Sequence, residues 1–173
     1  MKSRKVAFGA VVSALSLTLM LMTAVLPVGT YALPCMAGLL LMLIVIEFSP
    51  FWAIGVYIAV SVLSALIVPD KEAVLYYVLM LGIYPVLKSF FERIRLKWLS
   101  FVLKFIFFNL MAVAAFFASI YVLSVPLESF SLFGVNMPLV FLLMGNVVFF
   151  VYDICISRLA NIYLNVWRHR FKL

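Results

Sequence analysis

Ionisable residues lie within otherwise apolar stretches of this chain, namely Glu47, Lys88, Lys104, Asp153 and Arg158. Charges in such a setting can relay protons or ions across a membrane, or they can pair with one another and extend to the aqueous surface. A relay needs charges through the full depth of the membrane, whereas all of these residues are predicted near one face. We therefore favour snorkelling of the lysines, with Asp153 or Glu47 neutralising one of them. The i,i+4 spacing of Lys88 and Glu92 also predicts a local ion pair.

Uncharged polar residues form a second group, nearer the middle of the apolar stretches and toward the other face. The side-chain amides of Asn109 and Asn146 need partners in a dry environment, so they either bond across helices or point into a pocket. Aromatic residues at the predicted outer level either complete such a pocket or belong to the interface belt. The candidate substrate-binding residues are Thr30, Tyr31, Tyr76, Tyr77, Asn109, Tyr121, Asn136 and Asn146.

No catalytic or metal-binding constellation is evident in the sequence. His169 is the single histidine, and it lies among the basic residues of the C-terminal tail. The two cysteines, Cys35 and Cys155, are predicted to be apolar packing residues that form no disulfide. There is no glycine-rich phosphate-binding loop, which excludes primary active transport by this chain alone. We predict that the protein is not an enzyme and uses no cofactor or metal.

The composition indicates that lipid surrounds most of the chain. Hydrophobic residues make up 68% and charged residues 11%, with a mean hydropathy of +1.28. Soluble domains average about 45–50% apolar and about 25% charged residues. The net charge of +7 lies beside apolar segments, so anionic lipid headgroups are the expected partner and nucleic acid is not.

Stretches of about 20 apolar residues, the length needed to cross a bilayer, divide the chain. We predict an all-α protein, a single transmembrane domain of six helices without a soluble domain. The predicted spans are residues 6–26, 31–48, 51–68, 73–91, 98–123 and 137–158, and the last helix could run on to residue 167. Pro85 removes a backbone hydrogen bond, so the fourth span is predicted to kink there.

Basic residues set the predicted orientation. They cluster at Lys2–Lys5, at Arg93–Lys97 and at Arg168–Lys172. Six spans place all three clusters on one side of the membrane, and short loops rich in Lys and Arg stay cytoplasmic. We therefore predict that both termini are cytoplasmic.

Small residues recur at four-residue spacing in the first span, as Gly9/Ser13 and Ala10/Ala14. Such strips let another helix backbone approach closely. They are explained either by packing within the bundle or by docking of a helix from a partner protein.

The chain resembles the S components of energy-coupling factor (ECF) transporters, which are small bacterial membrane proteins that capture vitamins. The resemblance consists of six spans in fewer than 200 residues, a basic N-terminus, and an uncharged loop, Pro27–Ala32, where the family has a substrate-covering loop. The segment Ala10-Val11-Val12-Ser13-Ala14 also matches the family's Ala-xxx-Ala motif in helix one.

The resemblance implies a multi-pass substrate-binding subunit in the bacterial cytoplasmic membrane. Such a subunit captures a vitamin-like molecule from outside and works with a transmembrane coupling subunit and two ATPase subunits. Ala10 and Ala14 would then face the coupling subunit. The near absence of charge in the predicted outer half favours a neutral or lipophilic ligand.

Two other functions remain open from the sequence. A membrane scaffold would use the small-residue strips and the basic face to assemble other envelope proteins. A self-sufficient small transporter is disfavoured, because neither an internal repeat nor carboxylates suited to ion coupling are present.

Overall fold

The computed structural model of the chain describes residues 2–26, 29–124, 131–132, 135–136 and 138–167. The helices are α1 (Lys2–Met22), α2 (Gly29–Glu47), α3 (Pro50–Ile67), α4 (Lys71–Tyr76), α5 (Tyr84–Phe91), α6 (Lys97–Tyr121) and α7 (Pro138–Ile162). A π-helical turn at Tyr77–Leu81 follows α4, and another at Tyr163–Trp167 extends α7. Two short antiparallel strands, β1 (Ser131–Leu132) and β2 (Val135–Asn136), precede α7.

Six helical segments in the described ranges are long and apolar enough to cross a membrane: Ser3–Met22, Gly29–Glu47, Pro50–Ile67, Lys71–Phe91, Lys97–Tyr121 and Leu142–Asn165. This confirms the predicted all-α bundle of six spans and identifies a multi-pass membrane protein. An even number of spans leaves both chain ends on the same side of the membrane. That this side is the cytoplasmic one stays a prediction.

The first helix ends earlier than predicted, and the last one has the extension that the sequence allowed. The first helix ends at Met22 rather than Leu26, and the Thr23 hydroxyl donates to the Met20 carbonyl oxygen over 2.8 Å where the chain turns. At the other end of the chain, helical structure does continue as far as Trp167.

Side-chain caps explain two of the tight connections. Ser49 precedes α3, and its hydroxyl accepts from the Trp52 backbone N–H over 3.4 Å. Asp70 precedes α4 and accepts from the Ala73 backbone N–H over 3.0 Å. The other oxygen of Asp70 accepts from the Thr30 hydroxyl at 3.0 Å, which ties the start of α2 to the start of α4. Such caps satisfy backbone donors that a helix terminus leaves free.

The fourth span is interrupted near Pro85, as predicted. Pro85 has no backbone N–H, so the Leu81 carbonyl lacks its usual partner four residues on. The Tyr152 hydroxyl of α7 donates to that carbonyl oxygen over 2.9 Å. The Tyr57 hydroxyl of α3 likewise donates to the Val78 carbonyl oxygen over 2.6 Å. Neighbouring helices thus supply the hydrogen bonds that a broken membrane helix requires.

Two apolar cores lie on either side of α2. The first joins α1, α2, α3 and the fourth span around Met20, Leu41 and Tyr77. The second joins α2, the fourth span, α6 and α7 around Tyr84, Phe149 and Tyr152. Both α2 and the fourth span contribute to the two cores, and α2 contacts α1, α3, α4, α5 and α7.

Contacts between chain segments define the two ends of the bundle. The Lys5 ammonium lies 5.7 Å from the centre of the Phe48 ring, which joins the start of α1 to the end of α2. The Tyr163 hydroxyl donates to Glu47 over 3.2 Å, which brings the end of α7 to the same place. We call this the terminal end, and the other the opposite end.

Candidate functional site

A buried charge network joins α5, α6 and α7 near the terminal end. Asp153 of α7 forms a close ion pair with Lys88 of α5. The Lys104 ammonium of α6 lies 3.3 and 3.4 Å from the two Asp153 carboxylate oxygens. The Tyr84 hydroxyl donates to Asp153 over 2.5 Å. One carboxylate therefore receives hydrogen bonds from two other helices.

Further hydrogen bonds and ion pairs hold the two lysine ammonium groups. The Lys88 ammonium also donates to the Asp153 carbonyl oxygen and to the Ser157 hydroxyl, each over 2.7 Å. Glu92 lies 3.4 Å from Lys88 and 3.1 Å from Lys104. The i,i+4 pair of Lys88 and Glu92 predicted from spacing is therefore confirmed.

The lysines of this network are buried rather than extended to the surface. Their side chains are 4% and 9% exposed, against 19% for Asp153 and 49% for Glu92. The predicted snorkelling of the lysines is wrong, because both ammonium groups are buried and are compensated by Asp153 and by the half-exposed Glu92. The predicted neutralisation of a lysine by Asp153 is confirmed, whereas Glu47 takes no part. Two positive and two negative side chains leave the network without net charge.

Two residues predicted to belong to this inner-side cluster lie elsewhere. Glu47 accepts from the Tyr163 hydroxyl. Arg158 is exposed on α7, one residue after Ser157. The five residues predicted together thus separate into three that meet, Lys88, Lys104 and Asp153, and two that do not.

Asn109 of α6 and Asn146 of α7 form a reciprocal pair. Each side-chain amide donates to the other's oxygen over 3.0 Å. Each amide also donates to the carbonyl four residues before it, Phe105 or Leu142, over 2.8 Å. The amides are therefore satisfied by bonding across the helix interface. Of the two alternatives that the sequence left open, bonding between helices is the one observed, and not a position in a pocket.

A cavity of about 560 Å³ lies between α2, the fourth span, α6 and α7, toward the opposite end. Its walls are apolar or aromatic, with Tyr31, Tyr76 and Tyr152 contributing the hydroxyl groups. Gly145 lies in the wall beside Phe108, where an added Cβ would come within 3.3 Å of that ring. No charged side chain is among the described residues that line this cavity.

An aromatic layer separates the cavity from the charge network. The rings of Phe108 and Phe149 stack with centroids 4.4 Å apart, and Phe149 meets the edge of Tyr84 at 4.7 Å. Tyr84 also packs against Tyr152 at 5.8 Å while its hydroxyl donates to Asp153. The cavity lies on one side of this layer, and the charged side chains lie on the other.

The predicted pocket residues divide between several environments. Tyr31 and Tyr76 line the cavity, with ring centroids 5.0 Å apart. Thr30 bonds to Asp70, and Tyr77 is fully buried in the first core, 6.1 Å from the Tyr57 ring. Tyr121 is 79% exposed beyond the cavity. The side chain of Asn136 lies outside the described residues.

Sequence reasoning did not identify most of the cavity wall. Phe108, Phe116 and Phe149 were not singled out, and Cys35 was predicted to be a packing residue. An apolar residue in a membrane helix has the same local pattern whether it faces lipid or a cavity. Tyr84 and Ser157 were also missed in the charge network. Their i,i+4 spacing from Lys88 and from Asp153 was the available signal.

The two small-residue strips of α1 face different directions. Gly9 is buried against α3, where an added Cβ would lie 3.3 Å from Val56. Ser13 donates to the Gly9 carbonyl oxygen over 2.8 Å. Ala10 and Ala14 are exposed on the outside of the bundle. Gly9 therefore serves internal packing, and the alanines form a surface.

Comparisons with protein-family models, curated proteins and solved structures gave no match. Within the described part of the chain, no group of three or more His, Cys, Asp or Glu residues is placed to hold a metal ion. The cavity and the charge network are the candidate functional features of the described chain.

Proposed function

We propose that the protein captures a small neutral or lipophilic molecule in the cavity, as the substrate-binding subunit of an ECF-type importer in a bacterial cytoplasmic membrane. The observation that carries this proposal is the uncharged cavity of about 560 Å³. Ligand sites in proteins are typically concave, mostly apolar and roughly 300–1,000 Å³ in volume.

The charge network supports binding rather than ion coupling. Its lysines and carboxylates compensate one another and are separated from the cavity by the aromatic layer. A coupling ion or proton would need a continuous polar route, whereas the cavity wall that the structure describes holds no charged side chain.

The exposed alanines of α1 support the proposed association with a transmembrane coupling subunit, which would in turn carry two ATPase subunits. Ala10 and Ala14 are one helical turn apart on the outside of the bundle. Small side chains let a second helix backbone come close enough for dispersion and weak hydrogen bonds to act.

Mass spectrometry of small molecules that co-purify with the protein tests ligand capture. Ala112 lines the cavity and Ala114 is exposed on the same helix, so Ala112→Phe and Ala114→Phe add the same group in two environments. We expect a small molecule to be retained by the wild type and by Ala114→Phe, and to be lost from Ala112→Phe. Equal small-molecule content in all three proteins would refute capture and favour the membrane scaffold.

Co-purification with the coupling subunit of the native host tests the partner. Ala14→Trp places a large ring on the exposed strip of α1, and Ala59→Trp places the same ring at an exposed position of α3. Ala14→Trp should abolish co-purification and Ala59→Trp should leave it intact. Equal recovery of the coupling subunit with both variants would reject this strip as the docking surface.

A further inference from the structure

The cavity opens sideways, through the wall formed by α6 and α7. On the side of α6 and α7, the exposed lining residues are Val113 and Phe117 of α6, at 44% and 50%, and Met144 and Val148 of α7, at 59% and 58%. Tyr31 of α2, toward the opposite end, is 54% exposed. Each pair is spaced i,i+4, so the two pairs line facing edges of neighbouring helices. These positions belong to membrane-spanning segments, so the opening faces lipid.

We propose that the ligand of this cavity is a neutral, single-chain amphiphile that enters from the bilayer between α6 and α7. This inference rests on the proposed capture function and adds to it the class of ligand and its route. A molecule dissolved in the membrane reaches the opening between α6 and α7 by lateral diffusion, whereas a water-soluble vitamin would have to enter at another place.

Hydroxyl groups at one end of the cavity suit a polar but uncharged head. Tyr31 and Tyr76 both line the cavity at this end, with ring centroids 5.0 Å apart. Hydroxyls both donate and accept, so they can bind an alcohol or a carbonyl oxygen equally well. The walls below them, including Phe108, Phe116 and Leu142, offer an alkyl or prenyl chain only apolar contacts.

The surrounding charges disfavour an anionic head. Glu72 is four residues before Tyr76 in α4, so the two side chains share one helix face, and Asp70 precedes the same helix. The nearby Lys71 ammonium is bound to the Ala65 carbonyl oxygen at 2.8 Å. Lys88 and Lys104 lie beyond the aromatic layer and are already paired with Asp153. A buried carboxylate or phosphate without a counter-ion carries a large desolvation cost.

The test uses the full chain in lipid nanodiscs with three photoactivatable probes of equal chain length. These are diazirine-labelled 1-hexadecanol, palmitate and hexadecane, each crosslinked by light and mapped by peptide mass spectrometry. We expect hexadecanol to label the α6 and α7 segments that border the opening at least about tenfold more than palmitate, which corresponds to about 1.4 kcal/mol. Ala112→Phe should remove this labelling, and Ala114→Phe should not.

The Tyr76→Phe variant tests the role of the hydroxyl cluster. It should reduce labelling by hexadecanol and leave labelling by hexadecane unchanged, because only the alcohol has a head to bind. A merely structural loss at this position would reduce both.

Each remaining outcome overturns a defined part of the inference. Palmitate labelling equal to that of hexadecanol would refute the preference for a neutral head. Labelling by hexadecanol that survives Ala112→Phe would reflect annular lipid and refute entry into the cavity. A water-soluble molecule retained by the wild type and lost from Ala112→Phe, without specific labelling by hexadecanol, would overturn the inference while leaving the proposed function intact.

Discussion

The interface of α6 and α7 with the fourth span is built in two ways along its length. Near the terminal end, Lys88, Lys104 and Asp153 fill the space with a compensated charge network. Toward the opposite end, the same helices leave a cavity of about 560 Å³ with apolar walls. The network gives each group a specific partner on another helix, whereas the described cavity wall surrounds open space with apolar side chains.

This difference indicates that one part of the interface positions the helices and the other part can accept a ligand. Compensated charges in a dry environment are costly to separate, so the network fixes how the three helices are placed relative to one another. Apolar walls impose no such geometry, and a cavity between fixed helices can accept molecules of somewhat different shape. The following predictions test this contrast through unfolding free energies measured in detergent.

The largest effect is expected for Asp153→Asn. The substitution leaves the buried lysines with only Glu92 as a counter-charge, and we expect a loss of about 3–5 kcal/mol in the free energy of unfolding. Glu92→Gln, at a side chain that is 49% exposed, is the control and should cost far less. In the double variant Lys88→Met/Asp153→Asn, only the Lys104–Glu92 pair remains, and much of the lost unfolding free energy should be recovered. Equal stability of the two single variants would contradict a network organised by Asp153.

Gly38→Ala should have the second-largest effect. An added Cβ would collide with the Leu81 carbonyl oxygen and the Tyr152 hydroxyl. The hydrogen bond between these two groups replaces the backbone bond that Pro85 cannot make. Forcing a group into such a packed place typically costs about 1–3 kcal/mol. Gly55→Ala is the matched control, because nothing lies within 4 Å of its added Cβ. It should be neutral or stabilising by up to about 1 kcal/mol. Similar effects of the two substitutions would show that this contact is not tight.

Ala112→Phe should raise the free energy of unfolding rather than lower it. The added ring fills part of the cavity, and cavity-filling substitutions commonly stabilise by about 0.5–2 kcal/mol. Ala114→Phe adds the same ring at an exposed position and should stay within about 0.5 kcal/mol of the wild type. Strong destabilisation by Ala112→Phe would mean that the cavity wall is as closely packed as the charge network.

The smallest effect is expected for the amide pair. In a double-mutant cycle of Asn109→Ala and Asn146→Ala, we expect a coupling energy of about 0.6 kcal/mol, the average for hydrogen bonds between membrane helices. A coupling energy near zero would indicate that each amide is satisfied by the carbonyl of its own helix alone.

Sequence reasoning succeeded where the relevant contacts are local. The Lys88–Glu92 pair follows from helical periodicity, and the break near Pro85 follows from its missing N–H. It failed where the rotation of a helix about its axis determines which space a side chain faces. Tyr76 and Tyr77 are neighbours of the same type, yet one lines the cavity and the other is buried in the first core. Successive side chains of a helix point about 100° apart, so only packing shows which of them faces which space.

The membrane character and the six spans follow from the amino-acid sequence alone, because both depend on the amount of apolar surface in each segment and on its length. The tertiary structure decided that Lys88 and Lys104 meet at Asp153, and that Asn109 meets Asn146 rather than a ligand. It also decided that α2, the fourth span, α6 and α7 surround a cavity. These features depend on which faces of separate helices come together, and hydropathy does not specify this because lipid and protein interiors are about equally apolar.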